Sequence, residues 1–136
     1  MRRSKVRLTA MLFLAVGACA PGHVFRIEKT KDGVFTNFST LGDYPTTFTS
    51  IEIRSVDSGA VVWLIRGKDT PQAHGVALLP GANPSVPPLM NGSGTVDVMV
   101  PRGSETFVLE SGRDYRIEVC FPGRGNGWCE GEQFRL

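Results

Sequence analysis

After Cys19 no run of residues carries the three-and-four spacing of an amphipathic helix with caps. Short apolar and β-branched runs alternate instead with clusters of Gly, Pro, Asp and Asn, which is the pattern of an all-β chain. The predicted strands are VFRI (24–27), VFTNF (34–38), FTSIEIRSV (48–56), VVWLIR (61–66), VALL (76–79), TVDVMV (95–100), TFVL (106–109), YRIEVCF (115–121) and GEQFRL (131–136). Alternation is cleanest at Ile51 and Ile53, flanked by Glu52 and Arg54, and at Val96, Val98 and Val100. VVWLI is apolar on both parities and reads as a central strand.

Alternate residues of a strand share a face. Tyr115, Ile117, Val119 and Phe121 therefore share one face, and Arg116, Glu118 and Cys120 the other. In the last strand Cys129, Gln133 and Arg135 lie opposite Phe134 and Leu136. Both cysteines fall on the polar side. Between the strands, PGANPSVPPLMNGSG (80–94) holds too many prolines for a strand interior and reads as a long loop. Its PSVP matches a PxxP pattern, but the favoured reading is a stiff surface loop.

Residues 1–18 have a different character. MRRSKVR carries Arg2, Arg3, Lys5 and Arg7 and no acid, LTAMLFLAV is apolar, and small residues follow. Basic, apolar, then small is the layout of a secretory signal peptide. The apolar run falls short of the roughly 20 residues that a membrane-spanning helix needs. Setting these residues aside reverses the charge. They hold four of the fifteen Lys and Arg and none of the thirteen Asp and Glu, so the 118 residues from Cys19 onward carry −2. No clustered basic face for nucleic acid remains, and 118 residues suffice for one domain with a core.

Val16-Gly17-Ala18-Cys19 resembles the lipobox of bacterial lipoproteins, with Val where Leu is commonest. The resemblance implies cleavage before Cys19 and a diacylglycerol on its sulfur. It implies a tether over 19–23 and a single domain over 24–136. Ala20 resembles the default for outer-membrane retention, facing the periplasm. The rival is ordinary cleavage near ACA and a soluble secreted product. Assigning Cys19 to the lipid leaves Cys120 and Cys129, which would pair in an oxidising periplasm.

LESGRDYRIEVC (109–120) resembles the corner before strand F of fibronectin type III and immunoglobulin-like sandwiches. There a Tyr hydroxyl bonds back to the chain a few residues upstream. The resemblance implies a buried Tyr115 as the structural corner, in an immunoglobulin-like antiparallel β-sandwich, with Trp63 as the buried tryptophan. The departure is at Ile117, which stands where antibody domains keep a cysteine. On the polar face, a Cys120–Cys129 bridge would join neighbouring antiparallel strands as a hairpin staple. Direct opposition sets a register in which paired residue numbers sum to 249. Tyr115 then meets Phe134, and Arg116 meets Gln133.

The bridge would close FPGRGNGW (121–128) into the loop of a terminal hairpin. Arg124 and Trp128 are its candidate binding residues, since Arg and Trp are enriched at binding hot spots. The structural alternative has Trp128 packing over the disulfide.

No catalytic constellation, cofactor site or metal site is read in the sequence. His23 lies in the tether and His74 in the loop TPQAHG, neither at metal-ligand spacing from other donors. The expectation is a non-catalytic binding or assembly module of the bacterial envelope. It would be membrane-bound through its lipid anchor, with an envelope protein as partner and no nucleic acid. The alternative is an inhibitor or immunity-type lipoprotein that blocks an enzyme with the 121–128 loop.

Overall fold

The computed structural model of the chain describes residues 25–39, 44–86, 95–123, 125 and 127–136. Within them are ten strands and no helix. These are β1 (Arg26–Lys29), β2 (Val34–Asn37), β3 (Thr46–Thr47), β4 (Ser50–Ser55), β5 (Val61–Gly67), β6 (Gln72–Ala73), β7 (Gly75–Leu78), β8 (Val96–Val100), β9 (Asp114–Phe121) and β10 (Trp128–Arg135). A three-stranded sheet runs β1-β2-β7 and a five-stranded sheet runs β10-β9-β4-β5-β8. The short β3 and β6 form a separate pair. Every pairing is antiparallel.

Both large sheets turn one face into a shared core, in a sandwich-like arrangement. Val34, Val76 and Leu78 come from the smaller sheet, and Ile51, Ile53, Ile65, Ile117 and Val119 from the larger. Phe38, just past β2, sits edge-on to Phe121 of β9 at 5.8 Å and to Phe48 at 6.0 Å. It thereby ties the end of one sheet to the other. Each such side chain contributes about 1.5–3 kcal/mol by leaving water.

Strand β4 shows how alternation produces this layering. Ile51 and Ile53 are buried, while Glu52 and Arg54 point out and pair at 2.8 Å. The Arg54 Nη1 also donates to the Gly59 carbonyl at 2.7 Å, holding the turn into β5. Beyond β2, the Asn37 Oδ1 accepts from the amide and hydroxyl of Ser39 at 2.9 and 2.7 Å, which turns the chain out of the sheet. Gly75 allows β7 close to β2: a Cβ there would overlap the Thr36 carbonyl.

The all-β expectation holds, and several strand bounds shift. Residues 106–109 are not a strand. Leu109 pairs its backbone with the 81–82 turn, its amide on Ala82 and its carbonyl on Gly81, and one residue of pairing makes no ladder. The last strand begins at Trp128, because β10 pairs along its whole length with β9. The dipeptide strands β3 and β6 carry no pattern long enough to read. β5 does lie inside its sheet, between β4 and β8.

The alternation in β8 does not bury its valines. Val98 is 58% exposed. Five strands stand against three, and β8 is the outermost of the five. Its inward face therefore extends past the layer that covers β4 and β9.

Candidate functional site

The terminal hairpin gathers the residues that the sequence singles out. In β9 and β10, Cys120 faces Cys129, Arg116 faces Gln133 and Tyr115 faces Phe134, so paired numbers sum to 249 throughout. Cys120 and Cys129 form a disulfide with Cα atoms 4.0 Å apart. It lies on the solvent side, where Cys129 is exposed and Cys120 half-buried. The Glu118 carboxylate lies within 4.8 Å of both sulfurs. With the sulfurs bonded to one another, no thiolate pair is left to join that carboxylate as a metal ligand.

On the core side of the same hairpin, Tyr115, Ile117, Val119 and Phe121 are all buried. Trp128 faces Phe121 in the register and stacks on its ring, with centroids 5.4 Å apart and planes 28° apart. This differs from a Trp128 packed over the disulfide. Cross-strand partners share a face, so the indole belongs with Phe121, and the bridge lies on the opposite side. Gly123 passes against the indole, where a Cβ would meet it at 2.9 Å. Trp128 remains 37% exposed.

The loop that joins the strands depends on glycine. Gly127 has a φ of 71°, and a Cβ there would overlap the Phe121 carbonyl oxygen. The left-handed conformation and the close approach both require hydrogen at that position. Arg124, the other candidate of this loop, lies outside the described residues, as does Cys19 with the leader, the 19–23 tether and His23.

Tyr115 opens β9. Its hydroxyl accepts a hydrogen bond from the Glu110 amide at 3.0 Å, and its ring stacks on Phe134 at 5.5 Å and meets Phe107 edge-on at 6.1 Å. The Glu110 carboxylate pairs with Arg113. At the far end, the Gly112 amide donates to the Leu136 carbonyl at 2.6 Å, and Arg135 Nη2 donates to the Gly112 carbonyl at 3.0 Å. The 109–113 corner is thus held by both β9 and the chain end. His74 is half-buried between β6 and β7, and its carbonyl accepts from the Phe38 amide at 2.8 Å.

A feature that the sequence reading missed lies at the other edge of the large sheet. Trp63 and Ile65 of β5, Val96 and Val98 of β8, and Val86 and Phe107 from the connections line an apolar cleft of about 520 Å³. The only signal for it is the Val96-Val98-Val100 alternation, which reads as ordinary core until the strand order is known.

Compared with protein-family models, curated proteins and solved structures, the chain matches none of them.

Proposed function

We propose that this protein is a lipid-anchored binding or assembly module of the bacterial envelope, non-catalytic, with an immunoglobulin-like sandwich as its working domain. The observation that carries the envelope reading is Val16-Gly17-Ala18-Cys19 behind a basic and apolar leader. The disulfide between the remaining two cysteines supports it, because such bridges persist in oxidising compartments. β1 begins seven positions after Cys19. At about 3.5 Å per residue, a tether that short keeps the domain within roughly 25 Å of its anchor.

The strand order supports the sandwich reading. β1, β2 and β7 correspond to strands A, B and E, while β4, β9 and β10 correspond to C, F and G, with β5 added as C′. Tyr115, at the start of the strand corresponding to F, bonds back to Glu110 as the Tyr of that corner does. Two features depart from the family: the buried Trp63 lies on β5 and not on the strand corresponding to C, and β8 is an extra edge strand between E and F. Domains of this architecture present loops and sheet edges to other proteins, which is the basis for reading this one as a binding module.

The test has two parts. Cys19→Ser is expected to shift the protein from the membrane to the soluble fraction and to abolish a lipid-modified N-terminus in mass spectrometry; unchanged fractionation rejects the anchor. Cross-linking in intact envelopes, followed by capture of the anchored protein, is expected to recover one stoichiometric envelope protein. A second reading, an inhibitor acting through the 121–128 loop, is favoured by the disulfide and the Phe121–Trp128 stack, which pre-order the ends of that loop. Under it, Trp128→Ala alone abolishes capture of the partner.

A further inference from the structure

On the outer face of the large sheet, alternation sets Arg116, Glu118 and Cys120 of β9 beside Gln133, Gly131 and Cys129 of β10. The Glu118 carboxylate and the two sulfurs lie within 4.8 Å of one another. Glu118 is half-buried and makes no ion pair among the described residues. From β4 it is faced by Glu52, and like charges directly opposite are destabilising. Arg54 pairs with Glu52 at 2.8 Å, which leaves Glu118 as the acid that a further cation would relieve. Gly131 faces Glu118 from the other side and sets no side chain beside it. The Arg116 guanidinium lies over that glycine, where a Cβ would meet its Nη2 at 2.8 Å.

We infer that reduction of the Cys120–Cys129 bridge opens a site for a thiophilic divalent cation of the Zn²⁺ class, held by the two cysteine sulfurs and the Glu118 carboxylate. The donor set selects the metal. Two thiolates and one carboxylate suit zinc, whereas Ca²⁺ and Mg²⁺ require oxygen donors throughout. Three protein donors leave the fourth tetrahedral position to water on the solvent side. The donors bring three negative charges against the two of the cation, and Arg116, next to Glu118 on the same face, offsets the excess.

Two observations connect the bridge to this second state. Cys129 is exposed on an edge strand, and exposed disulfides are the reducible ones. The bridge also joins strands that are paired over the whole of β10, with Phe121–Trp128 on one side of it and Val119–Glu130 on the other. That ladder keeps the sulfurs opposite each other once the covalent bond is gone, so the cation has little left to order. The reductant is a dithiol. One of its thiolates attacks the Cys129 sulfur, the Sγ–Sγ bond breaks, and Cys120 leaves as a thiolate. The second thiol of the reductant then displaces Cys129 and closes the reductant's own disulfide. Two electrons and two protons pass to the protein, and metal binding releases those two protons because thiolates are the ligands. The hairpin is stapled by a covalent bond when oxidised and by a cation when reduced. This inference rests on neither the anchoring nor the partner reading.

The test is metal titration of the full chain carrying Cys19→Ser, which removes the thiol outside the bridge, in bridged form and after reduction with a phosphine under argon. The reduced chain is expected to bind one Zn²⁺ with a Kd of about 1 µM or tighter. The bridged chain is expected to show no saturable binding at the same concentrations. Co²⁺ in place of Zn²⁺ is expected to give a thiolate-to-cobalt charge-transfer band, which reports sulfur in the coordination sphere. Glu118→Gln is expected to weaken Zn²⁺ by about tenfold or more while keeping that band. Cys120→Ser with Cys129→Ser is expected to abolish both. Zn²⁺ is further expected to slow the β10 amides that reduction speeds up in hydrogen exchange. No binding by the reduced chain, equal binding by the bridged chain, binding that survives loss of both cysteines, or a Glu118→Gln variant of unchanged affinity overturns the proposal. If the reduced chain loses its fold without metal, Zn²⁺ is expected to restore it with Glu118 in place and not in Glu118→Gln, and failure to restore it is likewise decisive against the site.

Discussion

The hydroxyl of Tyr115 accepts a hydrogen bond from the amide of Glu110 at 3.0 Å, tying the first inward residue of β9 to the chain just before it. The ring is buried while the amide it satisfies lies in a connection that makes no ladder of its own. Tyr115→Phe keeps the ring and removes the bond. It is expected to cost about 1 kcal/mol in urea unfolding with an unaltered slope. An unchanged midpoint would show that the corner is held by ring packing alone.

Reducing the Cys120–Cys129 bridge, or replacing both cysteines with Ala, releases a ring of ten residues. The loop-closure estimate for that length is about 2.5 kcal/mol. β10 is an edge strand of its sheet, so the loss is expected as fraying of 128–135. Hydrogen exchange should show faster amides in β10 than in β4, whereas uniform acceleration would mean that the whole domain opens as one unit.

Gly127→Ala forces a methyl group against the Phe121 carbonyl in a left-handed backbone. A destabilisation of about 1–2 kcal/mol is expected, with loss of the Trp128–Phe121 stack. Tryptophan fluorescence reports it: Trp128 should move to a more solvated emission while Trp63, buried on β5, does not. Near-wild-type stability would mean that the loop relaxes away from Phe121 at little cost.

Thr36 lies in the middle strand of the small sheet, and its buried hydroxyl has no hydrogen-bond partner among the described residues. Thr36→Val replaces that hydroxyl with a methyl group of similar size. The variant is expected to be more stable by about 1 kcal/mol, since an unsatisfied buried donor costs its desolvation. A less stable variant would point to a packing or bonding role for the hydroxyl.

What the sequence by itself determined is local and periodic. Strict alternation in 115–121 assigned Tyr115, Ile117, Val119 and Phe121 to one face and Cys120 to the other, because a pleated strand permits nothing else. Opposition of Cys120 and Cys129 then set the register of the whole hairpin, since pairing one residue in an antiparallel ladder pairs the rest. The lipobox-like run Val16-Gly17-Ala18-Cys19 and the candidate Arg124 are legible only in sequence, and both lie outside the described residues.

What the tertiary structure decided is which element lies beside which. Val98 alternates as a core residue would, yet it is open, because β8 takes the edge of a five-stranded sheet opposite a three-stranded one. Leu109 is buried without being in a strand, because its backbone partners are two turn residues from a distant part of the chain. Trp128 went to Phe121 because register, and not proximity along the chain to Cys129, sets its face. Periodicity encodes the direction in which a side chain points; what it meets there depends on long-range pairing, which no local pattern carries.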